Sequence, residues 1–370
     1  MLNSLYIKNY RNLREFKINS LEQVNLITGK NNTGKSALLE AISIYASRGD
    51  IFQIRQLLED RGEDIRQSDS ENILASNVQS FSSMFTDRKI DFNNKNTISI
   101  GQPNNSVVMR FVQYQDEEIK DKQGHIFQQK RIISDEDERR EYTEYNIGFE
   151  IAFSNLSRLF SLDSILFPHS GDGLFPRKKE NFQFIQTKNI NRKINEQLFD
   201  SIALTEKEGY VIKALKIIEP DTEKIAFRAG GEYSTLRIPV VKLSSVSEVL
   251  PLQSMGDGMN RILTIILALV SSDNGFLLID EFENGLHYTV QEQLWKIIFE
   301  LSESLNIQVF ATTHSEDCIS GFQSILNNSE NPLKGKGKLI RLDNVNGEIK
   351  PVEYSPSELK TASDHNIETR

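Results

Sequence analysis

Apolar and polar residues alternate over positions 2–8 and again around 16–18, and a short apolar run, Val24-Asn25-Leu26-Ile27-Thr28, follows. Alternation with period two predicts half-buried strands, and an apolar run predicts a deeply buried one, so residues 1–28 read as three strands. The pattern turns helical from Ser36 to Ile42, and a second helix follows with Ile51, Ile54, Leu57 and Leu58 at helical spacing. Three β-rich runs, 106–115, 126–133 and 142–153, predict an antiparallel meander. Residues 161–179 read as loop, with Pro168, Gly171, Gly173 and Pro176, and 189–204 and 205–216 read as two helices. No heptad pattern runs through four turns, so 154–235 is expected to be an inserted helical arm or lid rather than a long coiled coil. From 236 onward the chain settles into strands at 236–241, 276–280, 307–312, 338–342 and 349–354. Between the middle strands lies a helix over 289–305, with Val290, Leu294, Ile297, Ile298 and Leu301 on one face and Trp295 packing beside them. That strand–helix rhythm predicts a mostly parallel sheet.

Composition narrows the classes open to such a chain. It has 370 residues, 38% hydrophobic and 26% charged, enough for two domains, or one with a large insertion, with ample core. A net charge of −9 argues against a uniformly basic nucleic-acid binder, while 43 Lys and Arg leave a local basic groove open. The charged run at 135–141 reads as a solvated hairpin or loop. No 18-residue apolar stretch is present, so no transmembrane helix is expected, and the first residues show no signal-peptide pattern. A single cysteine, Cys318, excludes an internal disulfide and suits a reducing compartment, so a cytoplasmic location is expected.

Two motifs bring chemistry. Gly29-Lys30-Asn31-Asn32-Thr33-Gly34-Lys35-Ser36 is a G-x-x-x-x-G-K-S loop between a strand and a helix. Its glycines let the backbone curl so that N–H groups face phosphate oxygens, and the helix N-terminus adds partial positive charge. On this reading Gly29, Asn31, Asn32, Thr33, Gly34, Lys35, Ser36 and Ala37 surround the phosphates of ATP. Lys35 reaches the β- and γ-phosphates, and Ser36 offers a hydroxyl to Mg²⁺. The second motif is Phe276-Leu277-Leu278-Ile279-Asp280-Glu281, a buried-strand pattern ending in two acids where open α/β sheets bind ligands. Asp280 fits a Mg²⁺-holding carboxylate, and Glu281 fits the base or polariser of an attacking water.

Three further stretches stand beside these motifs. Thr312-Thr313-His314-Ser315 ends the next strand, His314 lying 34 residues after Asp280, so the two strand ends can sit side by side. Ser254-Met255-Gly256-Asp257-Gly258 puts a serine and two glycines before an apolar helix over 259–270, whose N-terminus can face an anion. Glu283-Asn284-Gly285-Leu286-His287 follows the acidic pair at once. Asn9-Tyr10-Arg11-Asn12-Leu13 joins the first two strands; Arg11 and Asn12 read equally as nucleotide contacts or as a plain turn with a solvated arginine.

The N-terminal strand, N-Y-R-N, strand, P-loop order resembles RecF, SMC-like and OLD-family ATPases, and the D-E-F-E-N-G-L-H run resembles the OLD-like branch of ABC ATPases. That resemblance implies an α/β fold: an ABC-type P-loop ATPase head with a mostly parallel core sheet, an antiparallel β subdomain and an inserted helical arm. The expected division is an N-terminal lobe at 1–153, the arm at 154–235 and a C-terminal lobe at 236–370. By the same resemblance His314 is a switch histidine. Ser254, Gly256 and Gly258 form a signature-like loop acting on ATP held by a second subunit, and Asn284 and His287 meet that subunit. A homodimer or higher even oligomer with composite ATP sites is therefore expected, with Glu281, His314 and Lys35 catalytic and Ser36 and Asp280 on the metal. A Q-loop glutamine cannot be chosen between Gln53 and Gln56. About fifty residues follow His314-Ser315, too few for the TOPRIM nuclease domain of OLD proteins. The resemblance then implies a regulatory ATPase of bacterial anti-phage defence with a separate effector, a nuclease, nucleic acid remaining open as a ligand. The competing readings are a RecF-like DNA-repair ATPase and an ATP-gated scaffold with little turnover.

Overall fold

The computed structural model describes residues 1–63, 73–92, 96–120, 126–133, 145–163, 181–187, 192–230, 237–327 and 336–364. The chain divides into two units. One comprises Met1–Asn3, Ile18–Leu39 and Glu180–Arg370, and the other Ser4–Lys17 and Glu40–Lys179.

The first unit is built on a sheet ordered Glu348–Tyr354, Gly337–Val345, Val24–Gly29, Gln308–Thr312, Phe276–Ile279, Phe182–Ile185. The Glu348–Tyr354 edge pairs antiparallel and every other pair is parallel. The strands Val24–Gly29, Gln308–Thr312 and Phe276–Ile279 are buried along their whole length, as strands covered on both faces must be. Part of that cover is the helix Asp257–Ser271, in which Met259 and every residue from Arg261 to Val270 are buried. Helices Arg192–Ile202, Lys207–Leu215 and Tyr288–Ser304 pack on it. Trp295, the chain's only tryptophan, stacks on Phe282 with ring centroids 4.0 Å apart and planes 9° from parallel. A three-stranded antiparallel sheet, Thr222–Ala229, Arg237–Leu243 and Val249–Pro251, runs into the 3₁₀ turn Leu252–Met255 and delivers the chain to the start of Asp257–Ser271.

The second unit is an antiparallel sheet ordered Leu13–Ile18, Leu5–Tyr10, Ile98–Gln102, Asn105–Lys120, Asn146–Phe153, Leu156–Ser161. Ile126–Ile132 pairs with the far half of Asn105–Lys120. Buried Phe81, Phe85, Phe111 and Phe149 form an aromatic cluster, with Phe81–Phe149 centroids 4.8 Å apart. Among the described residues no helix is long and apolar enough to cross a membrane.

Three features differ from the sequence reading. The described residues of 154–235 belong to the two sheets and the core rather than to a separate arm. Leu156–Ser161 completes the antiparallel sheet, and Phe182–Ile185 is an edge of the parallel one. Phe199, Ile202, Val211, Ala214 and Leu215 join the same apolar core as Met259 and Ile262. The apolar faces of these two helices are core-forming, and four residues of strand are too few to show a period. The P-loop strand groups with the C-terminal segment, since Val24–Gly29 hydrogen-bonds on both edges to strands from beyond residue 300. Local periodicity carries no record of such distant pairing. Finally, helix Ile73–Ser82 and strand Thr222–Ala229 were not foreseen. The acidic run 135–141, most of the loop 161–179 and residues 189–191 lie outside the described residues.

Candidate functional site

The phosphate-binding loop takes its shape from backbone angles that few residues tolerate. Gly29 closes its strand at φ +134°, and a Cβ there would lie 2.5 Å from Leu342 O and 2.9 Å from Thr33 Oγ1. Only glycine fits. Asn32 at φ 63° and Gly34 at φ 88° continue the curl into the helix Lys35–Ala46. Thr33 Oγ1 donates to Lys30 O at 2.8 Å and locks the turn. Lys35 Nζ donates to Gly29 O at 2.7 Å and Lys30 O at 2.8 Å, so the ammonium lies folded against the loop. Burial pushes its pKa down to about 8, while Asp280, Glu281 and Glu283 pull the other way. Asn31 and Asn32 are exposed; Ala37 is buried and can offer a ligand only its backbone N–H.

Three strand ends meet here. Ile279 is level with Ala311 and Thr312 with Ile27, which puts Gln308–Thr312 between the P-loop strand and the Asp280 strand. Both carboxylate oxygens of Asp280 are held: Ser36 Oγ donates to Oδ2 at 3.0 Å, and Thr312 Oγ1 donates to Oδ1 at 2.6 Å. Thr312 Oγ1 also accepts from Glu281 N at 2.9 Å. Arg261 Nη2 donates to Asp280 O at 3.1 Å and Glu281 O at 2.8 Å. Glu281 itself sits at φ 49°, a left-handed conformation that a non-glycine residue adopts only when its surroundings impose it.

The donor set fits Mg²⁺. A hydroxyl and a carboxylate, both hard oxygen ligands, are already in contact through Ser36 and Asp280. Among the described residues no three His, Cys, Asp or Glu side chains cluster as a metal cage, so such an ion would complete its shell with phosphate and water.

Glu283 ties the turn after Asp280 to the neighbouring strand end. It accepts from Thr313 Oγ1 at 2.7 Å and from His314 N at 2.7 Å. The expected side-by-side placement of Asp280 and the Thr312–Ser315 stretch is therefore present. The signature-like turn lies in the same unit. Ser254 Oγ donates to its own Pro251 O at 2.7 Å, and Gly256 takes φ +97°. A Cβ on Gly258 would lie 3.4 Å from Gly285 O, so this turn rests on the Glu283–His287 turn. Asn284 is exposed, and His287 caps the helix Tyr288–Ser304, its Nδ1 lying 2.9 Å from Thr289 Oγ1.

Arg11 and Asn12 belong to the other unit. Arg11 is at φ 51°, its side chain nearly buried, with Nε 2.9 Å from Glu40 and Nη1 2.8 Å from Glu63. Those carboxylates and Tyr10 more than offset the cost of burial and hold the guanidinium charged. Asn12 is exposed.

Three residues of the site have roles the motifs do not assign: Thr312, which holds Asp280 and Glu281 together, Glu283, and Arg261, which lies outside every motif. The signal for Arg261 was in plain view, a lone arginine in the apolar run Met259-Asn260-Arg261-Ile262-Leu263.

Residues 24–317 match the family model described as "AAA domain, putative AbiEii toxin, Type IV TA system". An "ATP/GTP phosphatase" of Helicobacter pylori (strain ATCC 700392 / 26695) is 23% identical over 355 residues, 88% of each chain. An uncharacterized protein of Methanocaldococcus jannaschii is 43% identical over 54 residues, 15% of this chain and 25% of that one. Among solved structures, an SMC head bound to the C-terminal winged-helix domain of ScpA aligns over 98% of this chain and 99% of its own. Its TM-score is 0.49 and its identity 13%, too distant to bear on function. The family match spans well over half of the sequence and contains the P-loop, Asp280, Glu281 and His314, so the chain belongs to this AAA-domain family and is an ATP-hydrolysing enzyme of the AAA/ABC type.

Proposed function

We propose that the chain is a Mg²⁺-dependent, OLD-like ATPase that serves as the nucleotide-switched regulatory subunit of a bacterial defence system, with a separate effector, a nuclease. The observation that carries the nucleotide chemistry is the contact of Ser36 with Asp280 beside the folded-back Lys35. ATP entering the loop would draw the Lys35 ammonium from Gly29 O and Lys30 O onto its β- and γ-phosphates. Ser36 and Asp280 would hold Mg²⁺, which when bound neutralises charge developing on the transferred phosphoryl group. Glu281, its backbone fixed by Thr312 and Arg261, would take the proton of the attacking water. His314, its backbone held by Glu283, would report on the γ-phosphate. The family description names a toxin of a type IV toxin–antitoxin system, which supports a paired bacterial system with a partner protein.

In this reading the active form is a homodimer or higher even oligomer in which Ser254, Gly256 and Gly258 act on the ATP of the opposite subunit. What supports it is a helix N-terminus, at Asp257, opening from an exposed glycine turn whose Gly256 has free space on its Cβ side. Subunit mixing tests it. Lys35→Ala kills a site through its P-loop, and Gly256→Glu kills one through charge repulsion at the facing turn. Each variant alone should be inactive, while mixed dimers should regain partial ATPase activity from the one intact site. No recovery in verified mixed dimers, or full activity of Gly256→Glu alone, would leave a self-contained P-loop site as the better description.

A further inference from the structure

Arg261 is 1% exposed, and of its nitrogens only Nη2 has hydrogen-bond partners among the described residues. Nε and Nη1 are buried without any. Every neighbour from Ile262 to Val270 is buried, nearly all of them apolar, and a leucine or methionine at 261 would suit a packing helix better than a guanidinium with two unanswered donors. Burial lowers the pKa of the guanidinium, and Glu283, Asp280 and Glu281 oppose that pull. Stability alone does not explain this residue.

Its contacts do. Arg261 stands one turn inside the helix that begins at Asp257, directly after the Gly256 turn. Gly258 lies against Gly285, and a Cβ on Gly285 would come within 4.0 Å of Arg261 Cβ. The same arginine grips the carbonyl of Asp280, whose carboxylate meets Ser36 of the P-loop, and the carbonyl of Glu281. The strained Glu281 is held from both sides, its N–H by Thr312 Oγ1 and its C=O by Arg261.

We propose that Arg261 is a positioning residue that mechanically links the Gly256–Gly258 turn to the Asp280–Glu281 backbone, holding Glu281 in its left-handed conformation and setting its carboxylate for hydrolysis. Displacement of the glycine turn by a bound partner or phosphate moves the helix, and the guanidinium transmits that movement to the hydrolytic residues. This rests on the ATPase reading above for its consequence in turnover, but its structural half stands apart from it.

The test uses the full chain with Arg261→Met, which keeps the volume and removes the charge and fork, and Arg261→Lys, which keeps the charge but not the fork. Amide exchange is followed by mass spectrometry without nucleotide, and kcat and ATP affinity are measured separately. In Arg261→Met the amides of 281, 282 and 284 should exchange at least roughly tenfold faster while those of strand Phe276–Ile279 keep their protection. ATP affinity should stay within about threefold and kcat should fall roughly ten- to a hundredfold, with Arg261→Lys between the two. Unchanged exchange at 281–284 overturns the link whatever the turnover. Loss of protection along the whole strand, or a fall in ATP affinity equal to the fall in kcat, overturns it in favour of a general packing role. Faster local exchange in Arg261→Met, with no ATPase activity in the wild type, would instead sink the hydrolytic reading and leave the link standing.

Discussion

Replacing Lys35 by Met should stabilise the free protein while abolishing ATP binding, and the size of the effect follows from the loop. The Lys35 ammonium is buried, with a pKa near 8 against an ordinary 10.5. That gap would correspond to about 3 kcal/mol of disfavoured charge, and solvent reaching the ammonium screens it to about 2 kcal/mol. Below about pH 8 the lysine is protonated in both folded and unfolded chains, and the full penalty is present. Between pH 8 and 10.5 the folded protein has shed the proton and the unfolded chain retains it, so stability rises with pH; above 10.5 the penalty is gone. Methionine keeps the stem and never titrates. It also withdraws the donor from Gly29 O, whereas Lys30 O keeps Thr33 Oγ1, a loss of about 1 kcal/mol. The variant should therefore be more stable by about 1 kcal/mol at pH 7 and less stable by about 1 kcal/mol above pH 10.5. Trp295 is the sole tryptophan and lies in the same unit as Lys35, so its emission in a urea titration follows that unit. Added ATP should raise the urea midpoint of the wild type and leave the variant's alone. A variant destabilised equally at both pH values would mean the ammonium is at ease where it lies, and the reasoning would fail.

Glu281→Gln should bind ATP with nearly wild-type affinity and lose at least roughly a hundredfold in turnover if Glu281 takes the proton of the attacking water; wild-type turnover in steady-state phosphate release would pass the role to His314. Thr312→Val should lower Mg²⁺ affinity roughly ten- to a hundredfold and cost about 1–3 kcal/mol in stability, because it frees one oxygen of Asp280 and orphans Glu281 N. Thr312→Ser should restore both, and a valine variant with unchanged Mg²⁺ titration would remove Thr312 from the site.

What could be read from the sequence is what local chemistry dictates. The P-loop was legible because its backbone demands glycine at fixed places: Gly29 must pass within 2.5 Å of Leu342 O, measured from where a Cβ would be. Asp280 and Glu281 were legible because a run such as Phe276–Ile279 is buried on both faces and charge can appear only at its end. Periodicity marks Arg192–Ile202 and Lys207–Leu215 as helices but does not place them in the core. Periodicity reports which face is apolar and not what covers it, and their partner, Asp257–Ser271, begins more than forty residues after the second of them ends. Thr312 and Glu283 were unreadable for a different reason. Their roles lie in hydrogen bonds across 30 to 32 residues of chain, and threonine and glutamate at strand ends have many uses.

One end of three strands gathers several features that cost folding free energy. Lys35 is a buried ammonium, Arg261 a buried guanidinium with two unanswered donors, and Asn32 and Glu281 are non-glycine residues at positive φ. Elsewhere in the same unit a buried polar side chain such as Gln308 is satisfied outright, accepting from Leu2 N and donating to Leu2 O and Glu22 O. Selection for stability alone would remove the first group and keep the second. Lys35 and Arg261, both beside Asp280, leave the site holding charge in readiness for a ligand that completes it. A polyanion with its own divalent ion meets that need from both sides: its phosphates answer the Lys35 ammonium, and the ion answers Asp280. The burial cost of the Lys35 ammonium and the affinity for nucleotide are then two readings of one arrangement, so a substitution that relieves the first should weaken the second, whereas one at Arg261 or Glu281 should act on turnover.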